Sequence, residues 1–411
     1  MRTVTESARS LPVAYKADVL VAGAGPAGVM AAIASGRAGA DTLLIERANC
    51  AGGIWTSGML SWMLDVSDKG GILREIMTRI ESMGEGSFAR SGNFITFPET
   101  VKRVLDDMLE EANVRVLYYT SIAGVIRNES KITHAILESK AGRQAAEAKI
   151  FIDATGDGDL SYLAGCEYKI GSEDDGRTQP GSLIAMMAGV EHDAVRPFNN
   201  TLPYEDEDNN AKMQLKREMI KAGVSPSYGG PSFFHVKDDI WLVMTTHAYG
   251  MNALDPESLT KHTIDNRREL YRQEQALRNL GGAWKNLRII ATAPSIGVRE
   301  CRRIAGKYTV TLEDALEGKK HEDAVCRVNF SLDIHPTALH RSFEEENKKM
   351  KTKPYDIPLR ALESKDIENL LLAGRLISGD FYAHSSYRVT GDAATLGEAA
   401  GKEAAKRALY Q

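Results

Sequence analysis

The 411-residue chain is poor in cysteine: Cys50, Cys166, Cys301 and Cys326 lie far apart, with no C-x-x-C pair. That spacing supports neither a disulfide framework nor a zinc site. Seven of the histidines, at positions 134, 192, 235, 247, 262, 321 and 340, show no metal-ligand spacing and read as surface or satisfied core; no metal is expected. An apolar run of eighteen residues is also lacking, which excludes an expected membrane-spanning helix. The first sixteen residues carry Arg2, Glu6 and Arg9 without an apolar core, which argues against a secretory signal. Cytoplasm is then the simplest compartment. No long block of one charge sign occurs, and the formal net charge is −5, so nucleic acid is not an expected partner. Glu344, Glu345 and Glu346, followed by Lys348, Lys349 and Lys351, read as a solvated, self-neutralising face.

What is present is a globular composition, 43% hydrophobic and 26% charged, in a chain long enough for two domains. The most informative segment is ADVLVAGAGPAG at residues 17–28. An apolar strand (17–22) meets Gly23, Gly25 and Gly28, and a small-residue helix (26–38) follows. This is G-x-G-x-x-G between strand and helix, the context in which it signals dinucleotide binding. Gly23 permits the tight turn, Gly25 admits a pyrophosphate, and Gly28 lets the helix pack on the strand. Ala24, Pro26 and Ala27 complete the loop, and the helix N-terminus offers free N–H groups to phosphate. A second strand (42–46) ends in Glu46, eighteen residues beyond Gly28, where an acid meets ribose hydroxyls.

Helices are expected over 71–83 and from Pro98 to about Asn113, a strand over 114–119, and a three-strand meander over 121–127, 131–138 and 143–150. The run Ile150-Phe151-Ile152 then enters the glycine-rich turn 153–159. Polar loops are expected at 171–182 and 199–211, a helix over 257–279, and strands at 183–190, 232–237, 240–246 and 325–334. From Pro354 the cofactor-domain texture returns, with a buried strand over 369–373 and an Ala/Gly-rich helix over 391–409. The fold class is α/β: a discontinuous dinucleotide-binding domain (15–170 and 355–411) with a central parallel sheet, and an inserted mixed-sheet α+β substrate domain (171–354).

Beyond the fingerprint, the chain carries Gly52-Gly53 with Thr56 and Gly58, Ile152–Asp159, Ser295–Glu300, Arg302-Arg303-Ile304, Asp333-Ile334-His335, Ile357-Pro358 and the stretch Asn369–Gly401. In these blocks and their order it resembles the broad FAD-dependent oxidoreductase family with the glutathione-reductase-like fold. The resemblance implies FAD, with Gly23 to Gly28 on the pyrophosphate and Glu46 on the adenosine ribose. Arg47 would extend that edge, Gly53 and Thr56 would pass near the ribityl chain or flavin, and the backbone of Ile122 would meet the adenine. Gly156 and Asp157 would close over the ADP half, and Gly374 and Arg375 would return to the cofactor, Arg375 toward a phosphate. Where many relatives of the wider fold place an Asp after that glycine, this chain has Arg375; Asp380 and Asp392 are nearby acids whose role stays open.

The implied flavin supplies hydride chemistry at N5, so the protein must position a substrate C–H and manage one proton. His384, between the late strand and last helix, is the first candidate for that proton; a buried loop histidine is the alternative. Arg388 suits a negative charge on reduced flavin or substrate. Arg299 is a second anion contact, or else pairs with Glu300 or Asp333. His335 is a further candidate, Tyr382 and Tyr387 read equally as core, and Arg302 and Arg303 read as structural or surface. Cys50 lacks the partner thiol of a disulfide reductase. The expectation is an FAD-dependent oxidoreductase acting on a small polar, anionic or polyhydroxylated substrate, with the electron acceptor open. The alternatives are a flavin-bearing RNA-modifying protein and a non-redox FAD-dependent lyase or isomerase.

Overall fold

The computed structural model describes residues 2–89, 91–202, 210–339, 341–347 and 350–410. Residues 203–209 of the expected 199–211 loop, His340, and Lys348 and Lys349 of the basic cluster lie outside them. β1 (Val13–Ala22), α1 (Pro26–Arg37) and β2 (Thr42–Ile45) form the opening unit. Leu20, Val21, Leu43 and Leu44 are wholly buried, as strands covered on both faces require. α2 (Gly71–Ser82) and α3 (Pro98–Glu111) each turn one apolar face inward, through Ile72, Ile76 and Ile80 and through Val101, Leu105 and Met108. β3 (Arg115–Leu117) follows, then β4 (Ser121–Asn128), β5 (Lys131–Ser139) and β6 (Gly142–Asp153). The last of these joins two expected pieces. Its first half closes the antiparallel meander with β5, and the whole strand runs parallel to β1 as far as Asp153 beside Ala22.

β7 (Ala185–Ala188), α4 (Ala211–Lys221), β8 (Ser232–Lys237), β9 (Ile240–Met244), α5 (Pro256–Leu280) and β10 (Arg288–Thr292) build a second unit. Its four strands lie in the order β8-β9-β7-β10. All three ladders are antiparallel, where a mixed sheet was expected. The tight turn at Asp238 makes β8 and β9 a hairpin, and a hairpin can only be antiparallel. Alternation along the strands gives the sheet two apolar faces. Leu183, Phe233, Trp241 and Val243 pack with Leu215, Leu270 and Leu277 of the helices. On the other face Ile184, Phe234 and Leu242 pack on Met59, Leu60 and Trp62, which follow the glycine-rich loop.

β11 (Ala324–Val328) is shorter than the expected 325–334 strand. Asn329 leaves the ladder because its N–H and side chain donate to Asp65 and Asp68. The chain then returns through β12 (Leu370–Leu372), α6 (Phe381–Tyr387) and α7 (Thr390–Tyr410). β12 pairs parallel with the end of β6, completing a seven-stranded, mostly parallel sheet. α7 lies directly on α1, and glycine makes the contact possible. A Cβ at Gly397 would stand 2.0 Å from the Ala27 carbonyl oxygen, and one at Gly401 would stand 2.2 Å from that of Ala31. Gly401→Val is therefore expected to lower stability by about 1–3 kcal/mol in chemical denaturation. The exposed neighbour change Lys402→Ala is expected to stay within about 0.5 kcal/mol of wild type.

Candidate active site

One cavity of about 340 Å³ runs between the two units, in the size range of small-molecule sites. Its first end is the glycine loop. A Cβ at Gly28 would meet the Gly23 carbonyl oxygen at 1.8 Å, and one at Gly53 would meet the Gly25 Cα at 2.8 Å, so α1 and both loops close on one another. At Gly25 a Cβ would meet nothing within 4 Å, because that position faces open cavity. The start of α1 has no side-chain cap, and Pro26 at its first turn leaves the following N–H groups free for an anion. Glu46 is held at the same end by N–H donors from Ala24 at 2.7 Å and Ala48 at 2.8 Å. Asp153, fully buried at the end of β6, accepts from Thr155 and Ser161 and so fixes the 153–159 turn. Arg375 lies against Gly156 and donates to Asp157 at 2.6 Å. Its Nε has no partner, nor has the Nε of Arg388 or the hydroxyl of Thr390, and all three residues line the cavity.

The other end is a compact charged cluster lined by Arg299, Asp333, His335 and Arg388. Arg388 donates to Asp333 at 2.9 Å, and the same carboxylate oxygen lies 3.3 Å from Nε2 of His335. His335 Nδ1 lies 3.2 Å from Nε2 of His247, and His247 Nδ1 lies 3.2 Å from the Tyr249 hydroxyl. Burial opposes the charge of Asp333, but His335, Arg388 and Arg299 hold its carboxyl well below the usual range. Burial and then the Arg299 charge push His335 down to about 4. They push His247 down as well. Burial and Arg388 lower Arg299 to about 10. Over the neutral range the cluster thus holds one carboxylate, two guanidiniums and two uncharged imidazoles.

Of the residues singled out from sequence, Gly23, Gly25, Pro26, Ala27, Glu46, Arg47, Gly53, Gly156, Asp157, Arg299, His335, Gly374, Arg375 and Arg388 line this cavity. Five do not. Ala24 and Gly28 sit behind the loop, and Thr56 turns inward to donate to the Ala51 carbonyl at 2.6 Å. Ile122 pairs with Leu137 in the meander, away from the lining. His384 is buried on α6, 1% exposed and outside the lining, and its Nδ1 has no hydrogen-bond partner. Burial and then Arg303 hold it well below its ordinary range. Arg302 and Arg303, read as structural or surface, lie in an extended segment. Both arginines are buried there, Arg302 on Asp159 and Arg303 between Glu300 and Glu173. Glu300 is thereby unavailable to Arg299, and among the described residues Arg299 forms no ion pair. His247, Tyr249 and the wall residues Trp62, Ile184 and Met244 were not singled out. His247 stands 88 residues before its partner His335, with no motif to join them.

Three buried histidines kept neutral make stability depend on pH. Their folded pKa values lie below 6.5, so the unfolded chain binds more protons on acidification and stability falls as pH drops from there. Each contributes a slope of up to about 1.4 kcal/mol per pH unit. His384→Leu is expected to reduce the difference in unfolding free energy between about pH 7 and about pH 5 by roughly that much per unit, read from denaturant midpoints.

A cavity with an uncapped helix start, the Glu46 carboxylate and unpartnered donors in its lining suits a flavin dinucleotide. The sequence profile of the family described as FAD dependent oxidoreductase matches residues 18–409. No curated protein sequence matches the chain. Among solved structures, the flavin-dependent brominase Bmp2 is similar at 14% identity and a TM-score of 0.51, over 96% of this chain and 80% of that one. A geranylgeranyl bacteriochlorophyll reductase-like protein from Thermoplasma acidophilum has 14% identity and a TM-score of 0.49, over 96% of this chain and 78% of its own. The p-nitrophenol 4-monooxygenase PnpA from Pseudomonas putida DLL-E4 has 13% identity and a TM-score of 0.42, over 72% and 71%. The brominase likeness bears on the fold alone. With the profile spanning nearly the whole chain, the protein belongs to the FAD dependent oxidoreductase family and takes FAD as its cofactor.

Proposed function

We propose that the protein oxidises a small anionic or polyhydroxylated substrate by hydride transfer to its flavin, at the end of the cavity formed by Arg299, Asp333, His335 and Arg388. The observation that carries this reading is the continuity of one cavity from the Gly23–Ala27 loop and Glu46 to that cluster. The arrangement is glutathione-reductase-like, with 15–170 and 355–411 as cofactor domain and 171–354 as a cap over the reacting end. In it Glu46 and Arg47 hold the adenosine, the start of α1 the pyrophosphate, and Asp157 and Arg375 the turn beside it. FAD, when bound, supplies a hydride acceptor at N5. Arg299 orients the substrate and Arg388 fixes Asp333. The apolar faces of Ile184, Met244 and Trp62 keep water from the reacting carbon. The proton that leaves with the hydride enters the hydrogen-bonded chain Asp333–His335–His247, in which His335 is uncharged at neutral pH and Asp333 stabilises the imidazolium that forms.

Glu46→Ala is expected to raise the dissociation constant of FAD about tenfold or more, as one hydrogen bond to a charged group is lost. Fluorescence titration of the apoprotein checks this, and unchanged affinity removes Glu46 from the ribose. In an anaerobic screen of hydroxy, amino and saturated acids and polyols, at least one compound is expected to bleach the flavin absorbance. A compound that turns over without bleaching contradicts hydride transfer. His335→Asn is expected to keep FAD and slow that bleaching by about 10²-fold or more, the usual weight of a general base. In the wild type, bleaching is expected to fall as pH drops toward about 4, where His335 gains its proton.

A further inference from the structure

The cluster at the reacting end carries an unbalanced charge. Arg388 is matched by Asp333, and among the described residues Asp333 is the one carboxylate lining that end. Arg299 donates only to neutral acceptors, from Nη1 to the Pro180 carbonyl at 2.6 Å and the Ser182 hydroxyl at 2.9 Å. Its Nη2 lies 3.9 Å from the Met244 sulfur. His335 and His247 contribute no charge. Two guanidiniums against one carboxylate leave a single positive charge inside a partly closed, largely apolar cavity, an unfavourable state unless an anion joins it. A guanidinium recognises a carboxylate through two parallel N–H donors, a geometry a hydroxyl cannot match.

Beyond those two acceptors, the wall that runs on from Arg299 is hydrocarbon. Met244, against the guanidinium, continues along the lining into Ile184, Leu60 and Trp62. The Trp62 ring is backed by Phe234, with centroids 5.2 Å apart, so the slot has a firm aromatic wall. A polyol placed here would leave Arg299 uncompensated and turn hydroxyls onto surfaces that cannot bond them. We infer that Arg299 receives the carboxylate of a substrate whose remaining body is apolar, lying along Met244, Ile184, Leu60 and Trp62. This rests on the flavin-oxidoreductase reading of the same cavity and narrows its substrate to amphipathic carboxylic acids.

The test uses the FAD-loaded protein and three small probes, followed by perturbation of the visible flavin absorbance. Benzoate is expected to half-saturate at a concentration at least tenfold below that of benzamide, its neutral isostere, and tenfold below that of acetate, its charge without the ring. Arg299→Met is expected to raise the benzoate value at least tenfold, and Trp62→Ala to weaken benzoate while leaving acetate unchanged. Should Arg299→Met lose its flavin, the three-probe comparison on the wild type decides alone. Equal half-saturation by benzoate and benzamide, or no response to benzoate, overturns the inference, and equal half-saturation by benzoate and acetate overturns its apolar part. An Arg299→Met protein with unchanged benzoate binding and a shifted flavin midpoint potential assigns Arg299 to the flavin and also overturns it. Failure of the purified chain to bind FAD at all would instead remove the flavoenzyme reading beneath it.

Discussion

The placement of α1 against the ends of β1 and β6 is the constraint on which the rest of the structure depends. Gly28 brings the helix so close to the Gly23 carbonyl that no side chain fits between them. Gly397 and Gly401 bring α7 equally close on the opposite side. The helix is thus clamped with its uncapped start facing the cavity, and its orphan N–H groups are presented without room for adjustment. Glu46 and the Asp153-anchored turn are fixed to the same strand ends. The cofactor end of the cavity is built from backbone and buried carboxylates, with little freedom to vary.

The charged end of the cavity follows a different logic. Its residues come from four separated stretches, and side-chain electrostatics hold them together. Arg388 holds Asp333, Asp333 and His247 hold His335, and Arg299 biases both imidazoles toward neutrality. Because Arg299 depresses His335, an anion bound at Arg299 would restore basicity to the imidazole just when substrate arrives. In the proposed reaction, charge recognition and proton acceptance are coupled through one guanidinium. The antiparallel sheet above supplies the hydrocarbon that makes those charges effective, since they act across a poorly screened space.

This division also explains how far the sequence could be read. The cofactor end is local: strand, glycine turn, helix, strand and acid fall within residues 17–46, and period and glycine spacing identify each. The helix 98–111 was legible for the same reason, through one apolar face and a proline at its first turn, and the helix 256–280 through charges spaced at i, i+4. At the reacting end such rules fail. His384 had the right residue type and chain position, but the rotation of α6 turns it into the core, which no local pattern announces. Arg302 and Arg303 read only as structural or surface, yet the buried Glu300 and the side chains of Glu173 and Asp159 hold both in the interior. The strand expected over 325–334 stops at Val328 because Asp65 and Asp68, more than 250 residues earlier, capture Asn329. His247 joins His335 only when the cap sheet folds over the loop, a tertiary event without a sequence signature.

The most direct test of this account is a crystal structure of the protein with FAD bound. The account predicts the adenosine ribose on Glu46, the pyrophosphate over the start of α1, and the isoalloxazine ring beside the Arg299–Asp333–His335–Arg388 cluster, beneath Ile184 and Met244. A flavin whose ring lies outside that cluster, or whose pyrophosphate sits away from the 23–28 loop, would contradict it.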